Sequence, residues 1–136
     1  MFKAGNAIFK VSYIQASNPI YPKTARLRKL APPFEAMSWW SGFKKFKLSD
    51  HAGKYVVLIF WPWDFSPVST TEIVQYSTKA SDFKALNCQL VGVSCDSHFS
   101  HREWSQRSKR DLDFPLVADL DHSIARKYGC YLEGDD

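Results

Sequence analysis

The stretch Tyr55-Val56-Val57-Leu58-Ile59-Phe60-Trp61-Pro62 decides the class of fold. It is a run of apolar and aromatic residues without a charge, stopped by a proline. A strand with one wet face alternates in polarity. An unbroken run of this kind suits a central strand buried on both faces. It is also far shorter than the roughly 20 apolar residues of a membrane span. Gln89-Leu90-Val91-Gly92-Val93-Ser94-Cys95 repeats the pattern. Between the two runs, residues 69–86 set Ile73, Tyr76, Ala80 and Phe83 on one helical stripe. Strand, helix, strand with apolar strands predicts a mostly parallel sheet flanked by helices. The class is α/β.

Shorter elements lie on either side. Phe34–Ser38 and Phe43–Leu48 read as two strands around the turn residues Ser41-Gly42, and Ser49–Gly53 as a tight connection. His101–Lys109 reads as a helix and Phe114–Ala118 as a third buried strand. Ser123–Tyr128 reads as a short helix closed by Gly129.

The chain has 136 residues, 45% hydrophobic and 24% charged, which fits one globular domain and excludes a disordered or collagen-like chain. Its net charge of +4 is unevenly spread. Residues 1–30 carry Lys3, Lys10, Lys23, Arg26, Arg28 and Lys29 and no acid, while the remainder holds 12 basic against 14 acidic residues. The body is therefore no nucleic-acid binder. The basic segment 1–30 places Phe2, Phe9, Tyr13 and Ala16 on one helical face, the pattern of a mitochondrial transit peptide; an ordinary basic tail is the alternative. Pro19, Pro22, Pro32 and Pro33 follow, and the domain is expected over 31–136.

Three cysteines (Cys88, Cys95, Cys130) are an odd number without a Cys-x-x-Cys pair, which points to a reducing compartment and away from a thiolate zinc site. His98 and His101 near Cys95 do not make a metal site by spacing alone. No cofactor is expected. Cys95 ends a strand, where a reactive group can sit, but no cationic neighbour is evident in the sequence.

In an open α/β sheet the working site lies beyond the carboxyl end of a central strand, at the start of the next helix. That end points to Pro62-Trp63-Asp64-Phe65-Ser66-Pro67-Val68-Ser69-Thr70-Thr71-Glu72. Ser69-Thr70-Thr71-Glu72 has the form of a capping box, with Ser69 as N-cap and Glu72 reaching back.

These residues, with Ala31-Pro32-Pro33-Phe34, Lys47-Leu48-Ser49-Asp50, Asp96-Ser97-His98-Phe99, Trp104 and Phe114-Pro115-Leu116-Val117-Ala118-Asp119, resemble a typical two-cysteine peroxiredoxin over about residues 31–134. The resemblance implies a thioredoxin-like fold and descent from peroxidases that reduce hydrogen peroxide and organic hydroperoxides with thioredoxin. It also implies homo-oligomers, or hetero-oligomers with active relatives. Together with the basic leader it implies a mitochondrial location, with a cytoplasmic one as the alternative. The family pattern is Pro-x-x-x-Thr/Ser-x-x-Cys. Pro62 and Ser66 match it, whereas Ser69 stands where the peroxidatic cysteine belongs and Thr70 where a proline follows. In the family, the residue at Glu72 supports an active-site arginine.

The resemblance also implies further strands, a last helix, that arginine and a resolving cysteine beyond Asp136, so the domain reads as C-terminally truncated, with an unpaired sheet edge for a partner to cover. The family reaction needs a thiolate that becomes a sulfenic acid, and a serine hydroxyl supports neither step. The expected outcome is a peroxiredoxin scaffold with its peroxidase activity lost, which leaves a non-catalytic partner of active relatives as one role. A working peroxidase carrying an experimental replacement at Ser69 is the alternative, against which Thr70 and Pro67 speak, because one replacement would leave them unchanged.

Overall fold

The computed structural model describes residues 24–107 and 112–131 and the backbone of two N-terminal strands. The strands are β1 (Lys3–Ala4), β2 (Ala7–Tyr13), β3 (Glu35–Trp39), β4 (Phe43–Lys47), β5 (Tyr55–Trp61), β6 (Cys88–Ser94) and β7 (Leu116–Ala118). The helices are α1 (Pro67–Thr78), α2 (Ala80–Ala85), α3 (His98–Arg107) and α4 (Ser123–Tyr128). One sheet runs β1-β2-β5-β6-β7-β3-β4. Only its centre is parallel, β5 to β6 and β6 to β7; the flanking pairs are antiparallel.

The apolar run is β5, and its side chains divide between two cores as the pleat requires. Val56, Leu58 and Phe60 join Phe34, Phe46, Val91, Val93, Val117, Ile124 and Tyr128 on one face. Val57, Ile59 and Trp61 join Ile73, Ala80, Leu90, Trp104, Phe114 and Leu116 on the other. Gly92 makes room for this second core: a Cβ there would stand 2.7 Å from the Trp61 ring and 3.1 Å from Leu116 Cδ2. Trp61 then packs on Trp104, with ring centroids 5.5 Å apart.

Several boundaries differ from the sequence reading for local reasons. The single helix expected over 69–86 is two, broken at Lys79, whose ψ of 4° departs from the helix. The third central strand starts at Leu116 rather than Phe114, since Pro115 has no N–H to give to a ladder. The helix expected from His101 begins at His98. Gly129 closes α4 in the left-handed region, at φ 66°, as its position predicted.

The amino-terminal segment departs furthest. Ala7–Tyr13 is extended, not helical, and pairs antiparallel with the whole of β5, from Ile8 opposite Phe60 to Tyr13 opposite Tyr55. One edge of β5 is therefore covered by the chain itself. At the opposite margin β4 presents Lys44, Lys45 and Lys47 in exposed positions, charges of the kind that discourage edge-to-edge pairing. Phe2 and Ala16 of the proposed helical face lie outside the described residues.

Candidate functional site

Helix α1 begins where the strand-to-helix rule places it, just past the carboxyl end of β5. Its N-cap is Ser66, with φ −63° and ψ 129°, and Pro67 is the first helical residue. A proline suits that position because its missing N–H would find no partner there anyway. Ser69 is thus the third residue of the first turn and not the cap, so the expected capping box with Glu72 is not formed. Pro67 draws the helix start forward. Ser66 caps through its carbonyl alone, accepting Thr70 N–H at 2.9 Å and the Thr70 hydroxyl at 2.7 Å.

Around this turn the four expected site residues have different surroundings. Ser69 is buried, and among the described residues no hydrogen bond links its hydroxyl to a histidine, carboxylate or cation. Pro62, Ser66 and Glu72 are half-buried. Trp63, Phe65 and Val68 point outward, forming an apolar rim. Phe65 holds φ 60°, a backbone conformation uncommon for a bulky side chain, and it turns the chain from strand to helix. Thr70 fastens the turn from behind, its hydroxyl also accepting Trp104 Nε1–H at 3.2 Å.

The strongest polar arrangement lies in the same loop. Asp64 is buried and accepts Trp61 Nε1–H at 3.0 Å and the Ser100 hydroxyl at 2.9 Å. His101 Nδ1 stands 2.8 Å from the same carboxylate, and His101 Nε2 stands 3.2 Å from the Val117 carbonyl. The Asp64 N–H in turn donates to Asp96 Oδ2 at 2.6 Å. Both partners of the pair are almost wholly excluded from water. Such a pair is costly to desolvate, and every acceptor here has a donor, as burial demands. It ties the ends of β5 and β7 to α3 behind the first turn of α1.

Asp64 and His101 have no assigned task in the sequence. The available signal was an acid set between Trp63 and Phe65 in an otherwise apolar loop, since a buried acid needs a partner.

The three cysteines differ. None is in a disulfide. Burial pushes the Cys88 thiol up. Cys130 follows α4 and its Sγ lies 3.6 Å from the Tyr128 carbonyl. Cys95 does have a basic neighbour, contrary to expectation: His122 Nδ1 stands 3.0 Å from its sulfur. Burial first, then the carboxylates of Asp119 and Asp96, push the Cys95 thiol up, so the resting sulfur beside the imidazole is a thiol. No periodicity reveals this pair, because 27 residues separate its members.

Among the described residues no group of three or more His, Cys, Asp or Glu is placed to hold a metal ion, and no helix is long and apolar enough to cross a membrane.

Residues 27–135 match the AhpC/TSA family. Peroxiredoxin-2 of Macaca fascicularis is 44% identical over 111 residues, covering 77% of this chain and 56% of the relative. The reduced 2-Cys peroxiredoxin of Plasmodium vivax superposes with a TM-score of 0.73 at 30% identity, covering 77% of this chain and 69% of that one. The mitochondrial 2-Cys peroxiredoxin of Plasmodium falciparum superposes with a TM-score of 0.67 at 30% identity, covering 73% and 64%. The first of the curated relatives are matched over 45% and 59% of their length, so the chain spans about half of them. With most of its length matched and a thioredoxin-like sheet in common, the chain belongs to the AhpC/TSA family, the peroxiredoxins.

Proposed function

We propose that this chain is a peroxiredoxin scaffold whose peroxidase chemistry at the start of α1 is lost. One observation carries the reading. The first-turn position of α1 that the family gives to its peroxidatic thiol holds the buried Ser69, and among the described residues no base is hydrogen-bonded to its hydroxyl. A helix N-terminus can draw a thiol into the physiological range, but an alcohol starts many units higher and has no counterpart of the sulfenic acid step.

The test is sustained hydrogen peroxide consumption by the intact chain with a dithiol reductant. The expected result is no turnover that depends on residue 69. Turnover that survives Cys95→Ala and disappears in Ser69→Ala would overturn the reading. The single variant Ser69→Cys is expected to gain one equivalent of peroxide reaction at residue 69, because it keeps the Thr70 bonds that fasten the surrounding turn.

A second reading, non-catalytic association with active relatives, has its own support in the exposed Trp63, Phe65 and Val68 beside the same turn. Mixing the chain with an active peroxiredoxin and measuring mass by light scattering tests it; unchanged mass distributions would sink it. The basic, acid-free segment 1–30 supports a mitochondrial location. In that case cleavage after import would remove β2 and open the edge of β5, which fractionation with terminal sequencing would reveal.

A further inference from the structure

The pair Cys95–His122 lies across the sheet from Ser69. Residues 124, 125 and 128 of α4, the helix that His122 precedes, pack in the Phe34 core, whereas Ile73 of α1 packs in the Trp61 core. We propose that Cys95 and His122 form a separate thiol site, in which Cys95 is the oxidisable sulfur of this chain, His122 is its base and a small hydroperoxide is its substrate.

Four features of geometry carry this. Cys95 is half-buried rather than sealed in a core. The imidazole is held in one orientation: it stacks on Tyr131 with ring centroids 4.9 Å apart and planes 23° apart. Arg126 lies over the far ring at 4.4 Å and donates to the Asp121 carbonyl at 2.9 Å. The backbone of His122 is fixed too, in the left-handed region at φ 58°, with its N–H on the Asp119 carbonyl at 3.0 Å. A non-glycine residue held there is a small store of strain that the surrounding bonds must maintain, and such residues gather at functional sites.

The charged groups around the pair set its resting state. Asp96 follows Cys95 on the β6 side, and Asp119, Asp121 and Arg126 belong to the β7–α4 side. Asp119 is engaged by the N–H groups of Ile124 and Ala125 at 2.9 and 2.7 Å. The two carboxylates nearest the sulfur oppose a standing thiolate, so the base matters at the moment of reaction. The sulfur lone pair attacks one peroxide oxygen, the O–O bond breaks and an S–O bond forms. The thiol proton passes to His122 Nδ1 and from there to the departing oxygen, which leaves as water or an alcohol. Sulfur is oxidised to a sulfenic acid and the peroxide is reduced.

The experiment treats the intact chain with hydrogen peroxide at about pH 7, traps sulfenic acid with dimedone, and follows Cys88, Cys95 and Cys130 separately by peptide mass spectrometry. Cys95 is expected to react at least about tenfold faster than the other two, a margin below the roughly 10²–10⁴-fold that a positioned base can give. In His122→Asn, chosen because asparagine tolerates the left-handed backbone, Cys95 is expected to fall to the rate of Cys88. Toward alkaline pH, as the thiol ionises without a base, the gap between variant and parent is expected to narrow. Equal rates at the three cysteines, or a Cys95 rate untouched by His122→Asn, would overturn the proposal. A stoichiometric reaction at Cys95 leaves the reading of Ser69 standing, because that reading concerns turnover dependent on residue 69.

Discussion

The carboxyl ends of β5 and β6 are neighbours in one sheet, yet their polar groups are arranged to opposite effect. At the end of β5, Asp64 and His101 are sealed from water, and each of their ring and carboxylate contacts is made to a fixed partner. That pair acts as a rivet between the loop after β5, β7 and α3. At the end of β6, Cys95 and His122 are half-buried and bonded to one another. A group that is fully satisfied and dry holds structure. A nucleophile beside a base and within reach of solvent is available for reaction.

Removing one partner of the β5 pair should give the largest effect. Asp64→Ala leaves His101, Trp61 Nε1 and the Ser100 hydroxyl without their shared acceptor, and a loss of about 3–5 kcal/mol is expected from urea unfolding. Cys95→Ala, measured alongside, is expected to cost far less. Comparable losses at the two positions would erase the distinction between rivet and reactive pair.

Gly92→Ala comes next. Its methyl group would press on the Trp61 ring, which is held between Trp104 and the hydrogen bond to Asp64 and has nowhere to retreat. Overpacking of this kind costs about 1–3 kcal/mol. Because Trp61 anchors Asp64, the tryptophan fluorescence of the folded state should change as well, while Cys95 oxidation should not.

Alkaline pH offers a smaller, graded comparison. Burial raises the Tyr128 hydroxyl, whose proton is donated to the Pro32 carbonyl at 2.8 Å, and it also raises the Cys88 and Cys95 thiols. In the unfolded chain these groups release protons at their ordinary values, about 8.5 for a thiol and 10 for a phenol. The favourable contribution is therefore complete below those values and is lost as pH rises toward the raised ones. Tm is expected to be level through neutrality and to fall above about pH 9. Tyr128→Phe should flatten part of that fall; an unchanged slope in the variant would remove Tyr128 as a cause.

What the sequence revealed follows from the range of each interaction. β5 coincides with the apolar run because burial on both faces leaves a mark in consecutive residues. The last helix and its Gly129 cap were equally local. The pairing of β2 with β5 left no such mark: a basic segment with spaced aromatics satisfies a helical period and a strand period alike, and only the neighbouring β5 edge decides. The same holds for the sites. The loop after β5 could be located by rule, but Asp64–His101 and Cys95–His122 join residues 37 and 27 positions apart, which only the fold brings together.

The finest comparison is between two serines in one turn. Read from sequence, Ser69 is the cap and its loss should cost about 1 kcal/mol. In the structure Ser66 holds the cap position, and Ser69, a buried residue, is the third of the first turn. Deleting a hydroxyl that holds neither the cap nor a charged partner loses little. Ser69→Ala is therefore expected to leave stability within about 0.5 kcal/mol of the parent. Ser66→Ala should also be mild, because Ser66 acts through its backbone carbonyl, which alanine keeps. A loss near 1 kcal/mol for Ser69→Ala with none for Ser66→Ala would move the cap back to residue 69, and with it the place of the first turn that the family uses for its thiol.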